Sequence, residues 1–284
     1  VMPGTQIGVL NQIVSRTIDV EGIKVIAVTS HDTAAAIASV PAEGEDWVYI
    51  SSGTWSLMGV ENKETNIDQR SMLFNFTNEG GAEGTFRFLK NIMGLWVLQE
   101  CRRSWTKKGE EITYAEIAEM AEQSIPFSAM IDPDYAGFYN PLDMPAAIET
   151  FCRHTNQSAP RSIGAIARTV LEGLAMKYRM VLDQLELLSG KKYNVIHIIG
   201  GGSQNTLLCQ FTANATGRKV VTGPIEATAT GNILMQAKGM GYLENLAAMR
   251  KVVNNSFELL TYEPQERDMW EEAYTKFKTI AKHI

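Results

Sequence analysis

The sequence predicts an α/β fold, a mixed sheet flanked by helices. Three observations carry the prediction. Strand-length apolar runs alternate with helix-length periodic segments, most plainly over the last third of the chain. Glycine-rich turns follow two strand-like runs: Ser51-Ser52-Gly53-Thr54 after 47–50, and Gly200-Gly201-Gly202-Ser203-Gln204-Asn205 after 195–199. An isolated acid, Asp32, stands at the end of a third run, 25–29. Alternation of this kind covers both faces of a sheet with helices.

In chain order, the start at Val1-Met2-Pro3-Gly4 enters on a Pro-Gly turn without a first strand, and Gly4, Gly8 and Gly22 punctuate a polar segment. It reads as the middle of a longer protein, with 1–22 the remnant of an interdomain segment and 23–284 one domain. Residues 23–30 read as a strand ending at His31-Asp32. The alanine-rich stretch 33–40 is helix-prone, and Pro41 stops it. Residues 46–60 read as two strands joined across 51–54. Further strands are expected at 71–78 and 84–89, with Gly80-Gly81 as the turn between them.

Helices follow. Ile92, Leu95, Trp96 and Leu98 sit at helical spacing within 91–106, and an acidic helix spans 113–124. The stretch 125–142, rich in Pro, Asp and Tyr, reads as an irregular connection. Helices 143–155 and 160–189 come next. The second carries Ile166, Val170, Leu174, Tyr178, Val181 and Leu185 on one face and stops at Gly190. Strand 193–199, helix 204–216, strand 219–222, helix 226–240, a helix near 244–252, a short strand 256–260 and helix 264–282 complete the chain.

The bulk properties exclude several classes. The chain has 284 residues, is 45% hydrophobic and 20% charged, and carries a net charge of −6. That is an ordinary globular composition with room for a substantial core. No dense Lys/Arg block exists, so no nucleic-acid partner is expected. No apolar run has membrane-span length, and the start lacks a secretory leader pattern, so no membrane association is expected. Cys101, Cys152 and Cys209 are an odd number at wide spacing, neither a disulfide framework nor a zinc pattern. They are expected as core filler in a reducing cytoplasm.

Glycine leaves backbone N–H groups open to phosphate, and a carboxylate beside that phosphate can take a proton from a substrate hydroxyl. The two turns and Asp32 together therefore suggest ATP-dependent phosphorylation of a small polyol or sugar. Each piece also has a plain structural reading. Asp32 before an alanine-rich helix suits an N-cap, and spacing alone favours the cap. Gly53-Thr54 suits an ordinary hairpin, against the reading in which both N–H groups and the Thr54 hydroxyl hold a phosphate, with Ser51 and Ser52 as further donors. The run from Gly200 to Asn205 is stronger, because three glycines exceed what a strand–helix turn requires. It matches neither the G-x-G-x-x-G nor the Gly-Lys-Ser/Thr pattern, which argues against a nicotinamide oxidoreductase and a P-loop enzyme. Glu226 suits the first turn of its helix. Asn91 and Gln99, eight apart, are expected on one helix face. Trp55 and Trp96 are expected in the core.

The ordered set of motifs carries more. Ser30-His31-Asp32-Thr33-Ala34-Ala35-Ala36, Ile50-Ser51-Ser52-Gly53-Thr54-Trp55-Ser56, Phe76-Thr77-Asn78-Glu79-Gly80-Gly81, the stretch from Phe88 to Trp96, Gly200 to Asn205 and Glu226 to Asn232 resemble the FGGY carbohydrate kinases in order over nearly the whole chain. The resemblance implies an actin-like ATPase, ribonuclease H-like fold. It implies phosphoryl transfer from ATP with Mg²⁺ to the 1-hydroxyl of L-rhamnulose, with xylulose, fuculose or glycerol as other substrates of the family. A non-catalytic, sugar-responsive module on the same fold is the further alternative.

By resemblance, Asp32 is the general base, with His31 and Thr33 in contact with the sugar. Asn91 is also a sugar contact. Gly53, Thr54, Gln99, Asn205 and one of Gly201 or Gly202 are ATP contacts, and no side chain is implied as a metal ligand. The family has Gly where this chain has Ser30. It also begins with a domain carrying an Asp-x-Gly-Thr-type loop, which is absent before Val1. The chain is therefore expected to be the C-terminal kinase domain, inactive when isolated from its N-terminal partner.

Overall fold

A computed structural model describes residues 1–281. The chain opens on a small ribbon: β1 (Gln6–Val9) pairs antiparallel with β2 (Lys24–Ile26), with α1 (Gln12–Ile18) between them. Two expectations change here. A strand stands at 6–9 where none was expected, because all four residues are exposed and leave no alternating pattern. The strand expected over 23–30 shrinks to three residues and belongs to this ribbon, not to the main sheet. The pairing hydrogen-bonds residues on both sides of position 22, the expected boundary.

Next, α2 (Asp32–Ala38) has five consecutive buried residues, Ala34 to Ala38. The strands of the main sheet are β3 (Trp47–Ser52), β4 (Ser56–Asn62), β5 (Thr77–Gly80), β6 (Phe86–Ile92), β7 (Val195–Ile199), β8 (Lys219–Thr222) and β9 (Thr261–Tyr262). They lie in the order β5-β6-β4-β3-β7-β8-β9. The central three, β3, β7 and β8, are parallel, and each flank is antiparallel. The sheet is therefore mixed, as the sequence predicts.

Helices cover both faces. On one side lie α4 (Trp96–Lys107), α5 (Tyr114–Glu122), α6 (Met144–His154), α7 (Ile163–Ser189), α8 (Thr206–Thr216) and α11 (Arg267–Ile280). On the other lie α2, α9 (Ala227–Gly239) and α10 (Leu246–Ser256). Strand β3 shows why both faces are sealed. Val48 and Ile50 enter the larger core while Trp47 and Tyr49 enter the smaller one, the two-residue period of a strand. Each such side chain contributes about 1.5–3 kcal/mol on full burial. Cys101, Cys152 and Cys209 are buried and unpaired, as expected, and burial pushes each thiol pKa up. Among the described residues no helix is long and apolar enough to cross a membrane.

Several element expectations are corrected. Residues 69–73 form the short helix α3 (Gln69–Leu73), not the start of a strand, because the Asp68 carboxylate accepts the Arg70 N–H at 2.7 Å. The helix expected from 91 starts at Trp96, since β6 continues to Ile92 to stay paired with β4. The strand expected at 256–260 lies at 261–262, after α10 runs to Ser256. The final helix spans Arg267–Ile280; residue 282 lies outside the described residues. Finally, α7 is buried nearly all round rather than along one face. Its buried charges are paired, as burial demands. Arg168 meets Glu172 at 2.7 Å, Lys177 meets Asp132 at 3.0 Å, and Arg218 meets Glu186 at 2.9 Å.

His197 on β7 is the buried group with a clear pH consequence. Burial, then the Arg250 and Lys219 charges, lower its pKa from 6.5 to about 4. Between those values the unfolded chain binds a proton that the folded one does not. The contribution to stability is whole above about pH 6.5 and is lost as pH falls toward 4, by at most about 3 kcal/mol. Urea midpoints of wild type and His197→Gln should therefore converge as pH falls through this window. Parallel pH profiles would refute the assignment.

Candidate active site

The site is built at the end of the sheet where β3 and β7 finish. Between β3 and β4 the chain turns through Gly53-Thr54-Trp55. The Gly53 N–H donates to the Trp55 carbonyl at 2.9 Å, so it closes the turn itself and is not free for a phosphate. The first turn of α4 grips the same hairpin: Leu95 N–H donates to Gly53 O at 3.1 Å and Trp96 N–H to Thr54 O at 3.0 Å. The Thr54 hydroxyl donates to Gln99 Oε1 at 3.1 Å. Helix α4 has no side-chain cap, and its positive end lies behind this turn. Ser56, at the other side of the hairpin, is tied to α7, with its Oγ 2.6 Å from the Tyr178 phenol oxygen.

The glycine run continues from β7 into a 3₁₀ turn (Gly201–Gln204) and then α8. Its three glycines have different jobs. Gly202 is buried against β3, where a Cβ would stand 2.0 Å from Ser52 Oγ. Ser52 is buried in turn and is not the phosphate donor considered from the sequence. Gly200 has φ +83° and packs on the Ser52 carbonyl. Gly201 is exposed, and a Cβ added there would meet nothing within 4 Å. Of the two candidates for ligand contact, Gly201 is thus the open one. Asn205 caps α8, its Oδ1 accepting the Leu208 N–H at 2.9 Å.

These residues meet around one cavity of about 990 Å³. Gly53, Gln99, Gly201, Gly202 and Asn205 all line it, and Thr54 adjoins it through Gln99. Sequence reasoning missed the apolar wall, formed by Leu98, Tyr114 and Ala118 on one side and Leu207 and Tyr262 on the other. These are ordinary apolar positions of helices and a strand, with no local signal of a ligand. The size and mixed lining fit a nucleotide.

The sugar-side candidates lie outside that cavity. Asp32 is the first residue of α2, exposed, and its carboxylate makes no hydrogen bond among the described residues. The cap of α2 is His31, whose Nδ1 accepts the Thr33 N–H at 3.2 Å. This corrects the capping role considered for Asp32 and leaves its charge unspent. The Asp32 carbonyl accepts from Thr228 Oγ1 at 3.3 Å, on the first turn of α9. The loop before α9 receives the Gly200 N–H on the Pro224 carbonyl at 3.0 Å. The glycine run thus touches the loop before α9 at Pro224, and Asp32 touches α9 itself at Thr228.

Asn91 lies in β6 opposite Leu57 and is exposed. It shares a sheet end with Thr54 but not a helix face with Gln99, because α4 begins after it. Trp55 is 45% exposed rather than core, lying against Tyr139 with ring centroids 6.3 Å apart. Trp96 is half-buried and donates to the Phe138 carbonyl at 3.0 Å.

The stretch 125–142, read only as a connection, holds a brace for this corner. Asp134 accepts the Met93 N–H at 2.7 Å and pairs with buried Lys177 at 2.9 Å. Burial alone would lower the Lys177 pKa, but Asp132 and Asp134 outweigh it and hold the ammonium charged. Lys177 and Tyr178 of α7 therefore fix both ends of the hairpin-and-corner unit that carries Thr54. The available signal was Asp132-Pro133-Asp134 directly after the apolar run 129–131.

Comparison with known proteins gives the family. Residues 48–240 match the C-terminal domain model of the FGGY family of carbohydrate kinases. The chain belongs to the FGGY carbohydrate kinase family. The rhamnulokinase of Bacteroides thetaiotaomicron is 46% identical over 282 residues, covering 99% of this chain and 57% of that protein. The rhamnulokinase of Bacillus subtilis is 40% identical over 266 residues, covering 94% of this chain and 54% of that protein. Among solved structures, gluconate kinase from Lactobacillus acidophilus superposes with a TM-score of 0.76 at 14% identity, over 100% of this chain and 56% of that one. That likeness shows the fold, the actin-like ATPase architecture expected of an FGGY kinase. The chain spans about half the length of the curated relatives it matches.

The two glycine positions separate packing from binding in this FGGY domain. Gly202→Ala should lower stability by about 1–3 kcal/mol, because the added Cβ would also stand 2.6 Å from Ser52 Cβ, which no rotamer change moves. Gly201→Ala should leave the melting temperature unchanged and weaken ADP binding. Scanning calorimetry and titration calorimetry on the two variants check this, and the reverse pattern would refute the reading of the run.

Proposed function

We propose that this chain is the nucleotide-binding, base-carrying half of an ATP-dependent sugar kinase that phosphorylates L-rhamnulose on its 1-hydroxyl. The relatives named rhamnulokinase support the substrate. The observation that carries the chemistry is the gathering of Gly53, Gln99, Gly201, Gly202 and Asn205 on one cavity, with unspent Asp32 joined to the glycine run through the segment from Pro224 to Thr228.

Phosphoryl transfer asks the enzyme chiefly to position groups and neutralise charge. The Thr54 hydroxyl exchanges its hydrogen bond to Gln99 for one to a phosphate oxygen, and Gly201 lets the nucleotide lie against bare backbone. Asp32 accepts the proton of the attacking hydroxyl. His31 and Thr33 hold the sugar beside it, with Asn91 reaching in from the end of β6. Among the described residues no three His, Cys, Asp or Glu side chains converge as a metal cage. Mg²⁺, as the family implies, would be carried mainly by the nucleotide's own phosphates and water. When bound, the ion supplies charge neutralisation on the transferring group.

Asp32 lies in the open, so the sugar pocket needs a second wall. Ile7, Val9 and Ile13 of the opening ribbon are also exposed, at 57%, 61% and 79%. Both features fit a longer kinase whose other half closes the cleft and excludes water. The isolated 284-residue chain should then bind nucleotide weakly and turn over no sugar. The test is a coupled ADP-release assay on the full-length protein with L-rhamnulose, xylulose, fuculose and glycerol. The expected result is the highest kcat/KM with L-rhamnulose. A preference for another acceptor would overturn the substrate, and no phosphorylation at all would overturn the kinase.

A further inference from the structure

A second cavity, of about 410 Å³, opens at the opposite end of the sheet. Its walls are the start of β3 at Trp47, the end of β4 at Glu61, Asn62 and Lys63, the approach to β7 at Lys191, and Arg250 of α10. Neither the nucleotide residues nor the sugar-side residues touch it. Its volume lies in the range of small-molecule sites and far exceeds the roughly 30 Å³ share of one water.

The wall is electrostatically unbalanced toward cations. Glu61 is engaged at both oxygens: Oε2 accepts from Arg250 Nη2 at 2.9 Å and Oε1 from Thr85 Oγ1 at 3.0 Å. Glu45 meets Lys191 only at 3.9 Å, and both are exposed, so the pair is weak. Lys63 has no acidic partner among the described residues.

Arg250 is the anchor. Its side chain is only 11% exposed. The guanidinium lies over the Trp47 ring, 4.8 Å from its centroid, a cation–π contact. Nη2 is used by Glu61 and, at 3.4 Å, by the Ile37 carbonyl. Nε is buried without a partner, and Nη1 makes no hydrogen bond among the described residues. Nε is closed off from the cavity, so Nη1 is the unspent donor of this guanidinium; with Lys63 and Lys191 also lining the cavity, it gives a cationic wall suited to an oxyanion. The polar remainder, Asn62 with Glu45, offers partners for hydroxyl groups.

We propose that this distal cavity is a second binding site, for a small hydroxylated phosphate monoester. Its phosphate sits among Arg250, Lys63 and Lys191, and its hydroxyls meet Asn62 and Glu45. The proposal does not depend on which sugar the kinase phosphorylates.

The test is titration calorimetry of the 284-residue chain at low salt with a ketose 1-phosphate, inorganic phosphate and the neutral ketose. Three variants accompany wild type: the double charge reversal Lys63→Glu with Lys191→Glu, Arg250→Lys, and Gln99→Ala in the nucleotide cavity. The rim lysines are exposed, so their reversal should leave the melting temperature unchanged and keeps the test free of folding effects. The expected result is saturable binding of the ester, weakened at least about tenfold by the double reversal and by the loss of the guanidinium fork, and kept in Gln99→Ala. Inorganic phosphate should bind more weakly and the neutral ketose not at all. No saturable binding, equal binding by the double reversal, or loss only in Gln99→Ala would overturn the site. Equal affinity for inorganic phosphate would overturn the assignment to an ester.

Discussion

Asp32→Asn in the full-length kinase should lower turnover by about 10²–10⁴-fold, the usual worth of a positioned acid–base group, with nucleotide affinity and fold intact. The structure makes this substitution unusually clean. His31, not Asp32, caps α2, so no backbone N–H loses its acceptor. The carboxylate has no hydrogen-bond partner to abandon among the described residues, and the side chain is exposed. Only the favourable charge at the helix start is lost, about 0.3–1 kcal/mol. Turnover at saturating ATP, ADP binding and a thermal melt measure the three quantities together. Wild-type turnover would end the role of Asp32 as base. A collapse of the melt would mean that Asp32 is structural after all.

Gly231→Ala should be the most damaging single methyl in the domain. Helix propensity taken alone favours it by about 1 kcal/mol, since alanine suits a helix interior better than glycine. Packing decides the other way. A Cβ at 231 would stand 1.8 Å from the Ala35 carbonyl oxygen and 2.6 Å from its carbon. Both are backbone atoms, so no rotamer change relieves the contact, and α2 and α9 must move apart. Overpacking of this kind costs about 1–3 kcal/mol, occasionally more. Helix α2 carries Asp32 and Thr33 in its first turn, so activity should fall along with stability. A control substitution at exposed Ala229, such as Ala229→Ser, should leave the melt nearly unchanged. A Gly231→Ala protein as stable as wild type would show that the α2–α9 contact is not as close as described.

The site was legible in the sequence to an uneven degree. Residues 201, 202 and 205 were picked out by three glycines after an apolar run, and Gly53-Thr54 by a turn between two strands. Both signals are local, and both turned up on one cavity. Gln99 was placed on the correct helix, but Asn91 was assigned to that helix too, because apolar residues from Ile92 onward continue the helical spacing across the end of β6. The brace of Asp134 and Lys177 went unread, since its partners are 43 residues apart and each looks unremarkable in its own segment. Capping was misassigned by one residue, because Asp before an alanine run is the commoner cap and only the backbone at His31, with φ −133° and ψ 137°, reveals the alternative.

By itself, the order of apolar and glycine-rich segments determined that this chain makes a mixed α/β sheet with glycine-rich turns at its strand ends. Periodicity and turn chemistry are properties of neighbours in the chain, so they survive without coordinates. Which donors stay free was decided only by tertiary structure. Gly53 spends its N–H on Trp55, Gly202 is filled by Ser52, Gly201 is left open and Asp32 is left unpaired. The packing of Gly202 on Ser52 joins segments far apart in the sequence, and the openness of Gly201 and Asp32 is equally a matter of what the rest of the chain brings near, so packing decides them rather than any local pattern.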